Sequence, residues 1–191
     1  MKRSLGPKTL AIPAPVWLVG TYDADGRPNI ATIAWGGVCS SEPPSLAVSL
    51  RKSRHTYDAI IARKAFTVSI PSETFVREAD FAGIASGRET DKFAAAGLTP
   101  VRSDLVDAPY VGEFPLVLEC RLLHVFELGI HTQFVGEIVD VKADPAVLND
   151  QGLPDGEKVR PISYDTGTKN YFGLGQLIGK GFSVGNELRG K

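Results

Sequence analysis

Two short stretches of the chain combine residue types at spacings that suit chemistry. In Ser49-Leu50-Arg51-Lys52-Ser53-Arg54-His55-Thr56, four basic-capable side chains and three hydroxyls crowd the entrance to a segment with helical periodicity. A helix N-terminus presents unpaired N–H groups and a partial positive charge, which suits a phosphate. Arg51 or Arg54 would add charge-assisted bonds to its oxygens. The same residues also read as a solvated basic turn with Ser53 as helix N-cap. They lack the glycine spacing of a P-loop, which argues against a nucleoside triphosphate.

The second stretch is Trp35-Gly36-Gly37-Val38-Cys39-Ser40. Two glycines directly after a strand allow close backbone approaches that a Cβ forbids. A flat ring such as an isoalloxazine, read by backbone N–H and C=O groups, needs a stretch of that kind. A plain glycine turn between strands needs it equally. Three further residues are candidates: Lys92, His131 and, among the glycines of the tail, Tyr164. Each has an ordinary alternative as an exposed lysine, a turn-end histidine and a packing aromatic. His124 sits on the apolar face of its strand and reads as a core or interface histidine.

The elements that must position these residues are mostly strands. Val16 to Tyr22 is apolar and rich in strand formers, and Asp23 to Pro28 turns it back into Asn29 to Trp35. Leu46 to Leu50 and Phe66 to Ile70 are short strands, the latter alternating cleanly. Trp35 to Pro44 reads as a strand-end loop. Arg54 to Arg63 and Glu73 to Ala85 have helical spacing, and Asp91 to Ala95 is a helical turn ending at Gly97. Val117 to Leu128, with Leu118, Cys120, Leu122, Phe126 and Leu128 on one face, and His131 to Val141 form a long hairpin. Strands outnumber helices without a βαβ rhythm. This predicts a mainly β fold, an antiparallel barrel with accessory helices. Residues 1–191 read as one domain, with 143–191 as an extension packed on the barrel.

Composition narrows the partners. Twenty-one basic and 22 acidic residues leave a formal net charge of -1, which argues against a nucleic-acid or acidic-membrane footprint. No apolar run has the roughly 20 residues that span a bilayer. Cys39 and Cys120 show neither a metal-ligand spacing nor a disulfide framework. With three histidines besides, no metal site is expected, and the expected address is the cytoplasm.

Read in order, several segments resemble the flavoredoxin and flavin reductase group. They are Ser4 to Leu10, Pro15 to Tyr22, Ala34 to Cys39, Ala47 to Lys52, Ala65 to Ser72, Asp91 to Pro100 and Gly129 to Ile138. The similarity covers about residues 4 to 142. It implies a Greek-key-like FMN-binding split β-barrel, a homodimer, and one non-covalent FMN per subunit used for electron transfer or flavin reduction. Trp35, Gly36, Gly37, Val38, Cys39 and Ser40 would line the ring, and Ser49, Arg51, Ser53, Arg54 and Thr56 would surround the phosphate. Lys92 would be a further flavin contact, placed to stabilise the anionic reduced ring near N1. Tyr164 would cover the flavin. Related flavin reductases carry Gly-Asp-His near the nicotinamide; here Gly129-Ile130-His131 keeps the histidine and lacks the aspartate. NAD(P)H and a redox protein thus both stand as candidate electron donors. A flavin-binding module without turnover is the competing function.

Overall fold

The computed structural model describes residues 1–189. A two-residue strand, β1 (Ala14–Pro15), precedes β2 (Trp17–Tyr22), β3 (Pro28–Ile33), β4 (Gly36–Ser41) and β5 (Pro44–Leu50). Helix α1 (His55–Arg63) leads to β6 (Ala65–Ile70), then come α2 (Val76–Ile84) and α3 (Lys92–Ala96). Short strands β7 (Pro100–Arg102) and β8 (Pro109–Val111) precede the long pair β9 (Leu116–Leu128) and β10 (His131–Ala143). Helix α4 (Gly156–Val159) and strands β11 (Ser163–Asp165) and β12 (Asn170–Phe172) follow.

Seven strands form one antiparallel sheet in the order β3-β2-β6-β9-β10-β5-β4. Its two edges, β3 and β4, are separated in sequence only by Ala34 and Trp35. The chain therefore steps from one edge to the other, and the sheet curls to let it do so. The backbone N–H of Ser49 on β5 donates to the Trp35 carbonyl at 2.8 Å, carrying the β4–β5 pairing one residue into this step. This is a split barrel.

Period-2 alternation divides the apolar residues between two cores. Val19, Ile33, Val48, Phe66, Cys120 and Phe134 fill the barrel interior, capped by Ile60 of α1. Leu18, Ile30, Ala79, Ala82, Phe93 and Val111 form an outer layer under α2, α3 and β8. Strand β2 serves both, which is why Leu18 and Val19 are each fully buried. A Cβ on its next residue, Gly20, would collide with the Pro109 carbonyl oxygen, so glycine there lets β8 lie on the sheet.

The structure corrects the sequence reading at three places. Gly36–Ser41 is a paired strand, not a loop; its glycines and small polar residues hide the apolar alternation that reveals strands elsewhere. The far half of β9 is not core. A register shift leaves Leu123 unpaired between Leu122 and His124, and Leu123, His124, Val125, Phe126 and Leu128 are all exposed. His124 is therefore not a core histidine. Finally, the tail divides. Residues up to Tyr171 pack, through β11 against β1 and through Ile162, Tyr164 and Tyr171 against the outer core. Residues 173–189 are exposed throughout, and 190 and 191 lie outside the described residues. Among the described residues no helix is long and apolar enough to cross a membrane.

Candidate functional site

Helix α1 starts at the end of β5, and the turn between them carries the basic cluster. Its N-cap is Arg54 rather than Ser53, and no side chain caps it. The Tyr57 N–H donates to the Arg54 carbonyl at 3.0 Å, and with no side-chain cap the N–H groups of His55 and Thr56 are left for an external acceptor. Opposite stand the last turn of α2 and the segment after it. Ser53, Arg54, His55 and Thr56 face Ala82, Gly83, Ser86, Gly87 and Lys92 across a cleft of about 140 Å³, floored by Ala31 and Thr32 of β3. Arg54 Nη1 donates to the Gly83 carbonyl at 3.3 Å, and Arg88 Nη1 donates to the Ser53 carbonyl at 2.6 Å. These two bonds tie the walls together.

Lys92 is set by its short helix. Asp91 caps α3 by accepting from the Ala94 N–H at 3.0 Å, Gly97 closes it at φ +66°, and Phe93 anchors it in the outer core. The Lys92 side chain, with the residue only 4% exposed, then reaches the C-terminal turn of α2, where Nζ donates to the Ala82 carbonyl at 2.7 Å. Burial, and to a lesser extent the neighbouring Arg54 guanidinium, lower its pKa from 10.5 to about 8. An ammonium has three donors, so two remain for the cleft. Thr56 is buried; its Oγ1 accepts from Asn29 Nδ2 at 3.1 Å, which leaves its own proton to donate. No carboxylate lines this cleft. Two cations, a hydroxyl and an uncapped helix start converge on a space with nothing anionic in it. That donor set fits a phosphate dianion.

Three residues along from Thr32, about 10 Å of extended chain, Trp35 and Gly36 line a second, more open hollow of about 360 Å³ with Thr9, Ala11 and Thr166. A Cβ on Gly36 would come within 2.8 Å of the Trp17 ring and the Ile33 side chain, so only glycine fits between them. His131 opens β10 opposite the end of β9, and its ring centroid lies 6.5 Å from that of Trp35. Partial burial, then the nearby Arg51 charge, lower the His131 pKa, so its imidazole is neutral at pH 7.

The expected site residues are thus partly brought together and partly dispersed. Ser53, Arg54, Thr56 and Lys92 share the cleft, whereas Ser49 and Arg51 do not line it. Arg51 stands towards His131, and Ser49 bonds through its backbone to Trp35. Lys92 lines the same cleft as Ser53, Arg54 and Thr56 and does not line the hollow at Trp35. Gly36 and Gly37 border the apolar side of β4, while Val38 and Cys39 are exposed and Ser40 closes the local turn to Glu42. Tyr164 stacks on Tyr171 with centroids 5.4 Å apart and lines neither the cleft nor the Trp35 hollow; Thr166, two residues on, does line the latter. Sequence reasoning missed Thr32, His55 as a wall, and the stretch from Ala82, in the last turn of α2, to Gly87. Only Gly87, wedged against Asn29 and His55, left a trace, as a lone glycine after a helix.

A split barrel with a cationic, carboxylate-free cleft beside an open hollow suits a ligand that joins a phosphate to a flat ring, as flavins do. The chain belongs to the flavin reductase like domain family, which it matches over residues 9–167. It is similar to flavoredoxin of Desulfovibrio vulgaris (Miyazaki F), with 56% identity and a TM-score of 0.93, over 97% of this chain and 100% of that one. It is also similar to flavoredoxin from Methanosarcina acetivorans, at 28% identity and a TM-score of 0.91, over 98% of this chain and 100% of that one. A relative named high molecular weight rubredoxin, from Moorella thermoacetica, is 33% identical over 107 residues, 53% of this chain and 44% of that protein. The family and these relatives assign the chain an electron-transfer or flavin-reductase type of function, of the oxidoreductase kind.

Proposed function

We propose that the chain holds FMN, with the terminal phosphate in the Ser53–Thr56 and Lys92 cleft and the ring against Trp35 to Gly37, and that it works as an electron-transfer flavoprotein. The observation that carries this is the pairing of Arg54 with a buried Lys92 in a cleft that no carboxylate lines. When bound, FMN supplies one- and two-electron redox chemistry. The chain's own residues bind, orient and limit access. Arg54, Lys92 and Thr56 donate to phosphate oxygens, and the helix start adds backbone N–H groups. The Trp35 and Gly36 backbone reads the ring edge. His131, neutral at pH 7, orients an incoming donor at the open side.

A redox protein as donor is supported by the openness of the hollow beside Trp35 and by the relative named for rubredoxin. The second reading, NAD(P)H as donor, is favoured by the placement of His131 next to Trp35. The rate of flavin bleaching by NADH or NADPH, compared with that by reduced rubredoxin or ferredoxin, decides between them. Rapid bleaching by a nicotinamide alone would make the chain an NAD(P)H-dependent reductase. A protein that takes up no FMN would return the chain to a binding module for another ligand.

The chain works as a homodimer in this reading, supported by the exposed Val125, Phe126, Leu128 and Ile130 at the end of the long hairpin. One domain carries the site, and the two free thiols, Cys39 and Cys120, suit a cytoplasmic setting.

A further inference from the structure

Residues 173–189 form a segment that the barrel does not cover. Leu174, Leu177, Ile178, Phe182, Val184 and Leu188 are all exposed, Ile178 at 92% and Phe182 at 108%. At its base Leu174 passes beside Gly156; beyond that point every residue is exposed to solvent. The segment nevertheless has shape. The Val184 N–H donates to the Lys180 carbonyl at 2.9 Å, the Asn186 N–H to that of Ser183 at 2.9 Å, and Val184–Leu188 is a 3-10 turn.

Its composition is wrong for a solvated tail. Disordered segments are poor in large apolar residues and rich in net charge. Here six large apolar side chains accompany Lys180, Glu187 and Arg189, whose charges nearly cancel. At roughly 100 Å² of apolar surface per side chain the six present about 600 Å² before backbone is counted. A specific interface buries about 800 Å² per partner. The arm falls short of that alone, and the exposed apolar end of the β9–β10 hairpin, with Leu123, Val125, Phe126, Leu128 and Ile130, makes up the difference.

We infer that this arm is a clasp that docks on the hairpin end of a second copy of the chain, reciprocally in a two-fold dimer. The inference rests on the homodimer reading above and goes beyond it by naming the arm as what holds the dimer. With Lys180, Glu187 and Arg189 nearly cancelling, the arm offers a strongly charged partner protein little net counter-charge. A second copy presents an apolar surface that its own chain also leaves bare, which is the self-complementarity a two-fold interface requires.

The test is sedimentation equilibrium on the full chain, on a chain ending at Phe172, and on the full-length variant Ile178→Glu/Phe182→Glu. The parent is expected to be dimeric, and both variants to dissociate at least tenfold more readily with unchanged circular dichroism. Hydrogen exchange on the parent guards against misfolding of the variants: amides of 174–188 should exchange slowly above the dissociation constant and rapidly below it. Variants that dimerise as tightly as the parent, or arm exchange that is independent of concentration, would overturn the clasp and leave the dimer standing. A parent that is monomeric at every concentration overturns both.

Discussion

Lys92 Nζ and the carbonyl oxygen of Ala82 meet at 2.7 Å, so one cation joins the start of α3 to the end of α2 and also faces the cleft proposed to take the phosphate. A lysine at a helix C-terminus is an ordinary stabilising arrangement. What sets this one apart is its burial beside Arg54, which lowers its pKa to about 8.

The first prediction follows from that value. A bound dianion favours the ammonium and raises the Lys92 pKa in the complex. Phosphate-dependent affinity is then fully present below about pH 8 and is lost as pH rises from 8 through the pKa of the complex. Calorimetry in buffers of different ionisation enthalpy at pH 8 should show proton uptake on FMN binding. In Lys92→Gln the uptake should vanish and affinity should be flat between pH 7.5 and 9.5. A parent profile as flat as that of the variant would remove Lys92 from the phosphate site.

The second prediction separates the two arginines. Arg54 lines the cleft and Arg51 does not. Arg54→Ala should cost about 1.5–3 kcal/mol of FMN affinity, the range for a charge-assisted bond. Arg51→Ala should leave affinity within about threefold of the parent and act instead on His131, whose pKa should rise when that charge is gone. Equilibrium titration followed by flavin fluorescence measures the affinities, and NMR titration of the imidazole measures the pKa.

The third concerns donor entry at His131. His131→Ala should slow flavin reduction in stopped flow at saturating donor and leave FMN affinity unchanged, because the residue adjoins Trp35 and not the cleft. Equal rates in parent and variant would reduce His131 to a turn residue.

The fourth tests the backbone geometry of the ring side. Gly36→Ala should destabilise the protein by about 1–3 kcal/mol in urea unfolding, since the added methyl meets Trp17 and Ile33. Gly37→Ala, with nothing within 4 Å of its Cβ, should leave stability nearly unchanged.

Much of the fold was legible because alternation and helical spacing survive wherever a face is buried. Phe66 to Ile70, α1, and the Asp91 and Gly97 ends of α3 all follow from such local signals. β4 was not legible, since Gly36, Gly37 and the polar residues after them leave no apolar face to read. The outer half of β9 misled for the opposite reason: its apolar residues imitate a core strand although the surface they form is bare in a single chain. For the site, the basic cluster was visible as composition, but its division into Arg54 on the cleft and Arg51 beside His131 depends on where β5 turns into α1. The wall from Ala82 to Gly87 contributes backbone and small side chains, which carry no sequence signature of a ligand.

The most direct test of the account is a fluorescence titration of the apoprotein with FMN and, in parallel, with riboflavin, at pH 7. The two ligands share the ring and differ in the phosphate. If the Arg54 and Lys92 cleft is the phosphate site, FMN should bind at least 100-fold more tightly than riboflavin, and Arg54→Ala/Lys92→Gln should bring the two affinities close together. Equal affinities for FMN and riboflavin in the parent protein would contradict it.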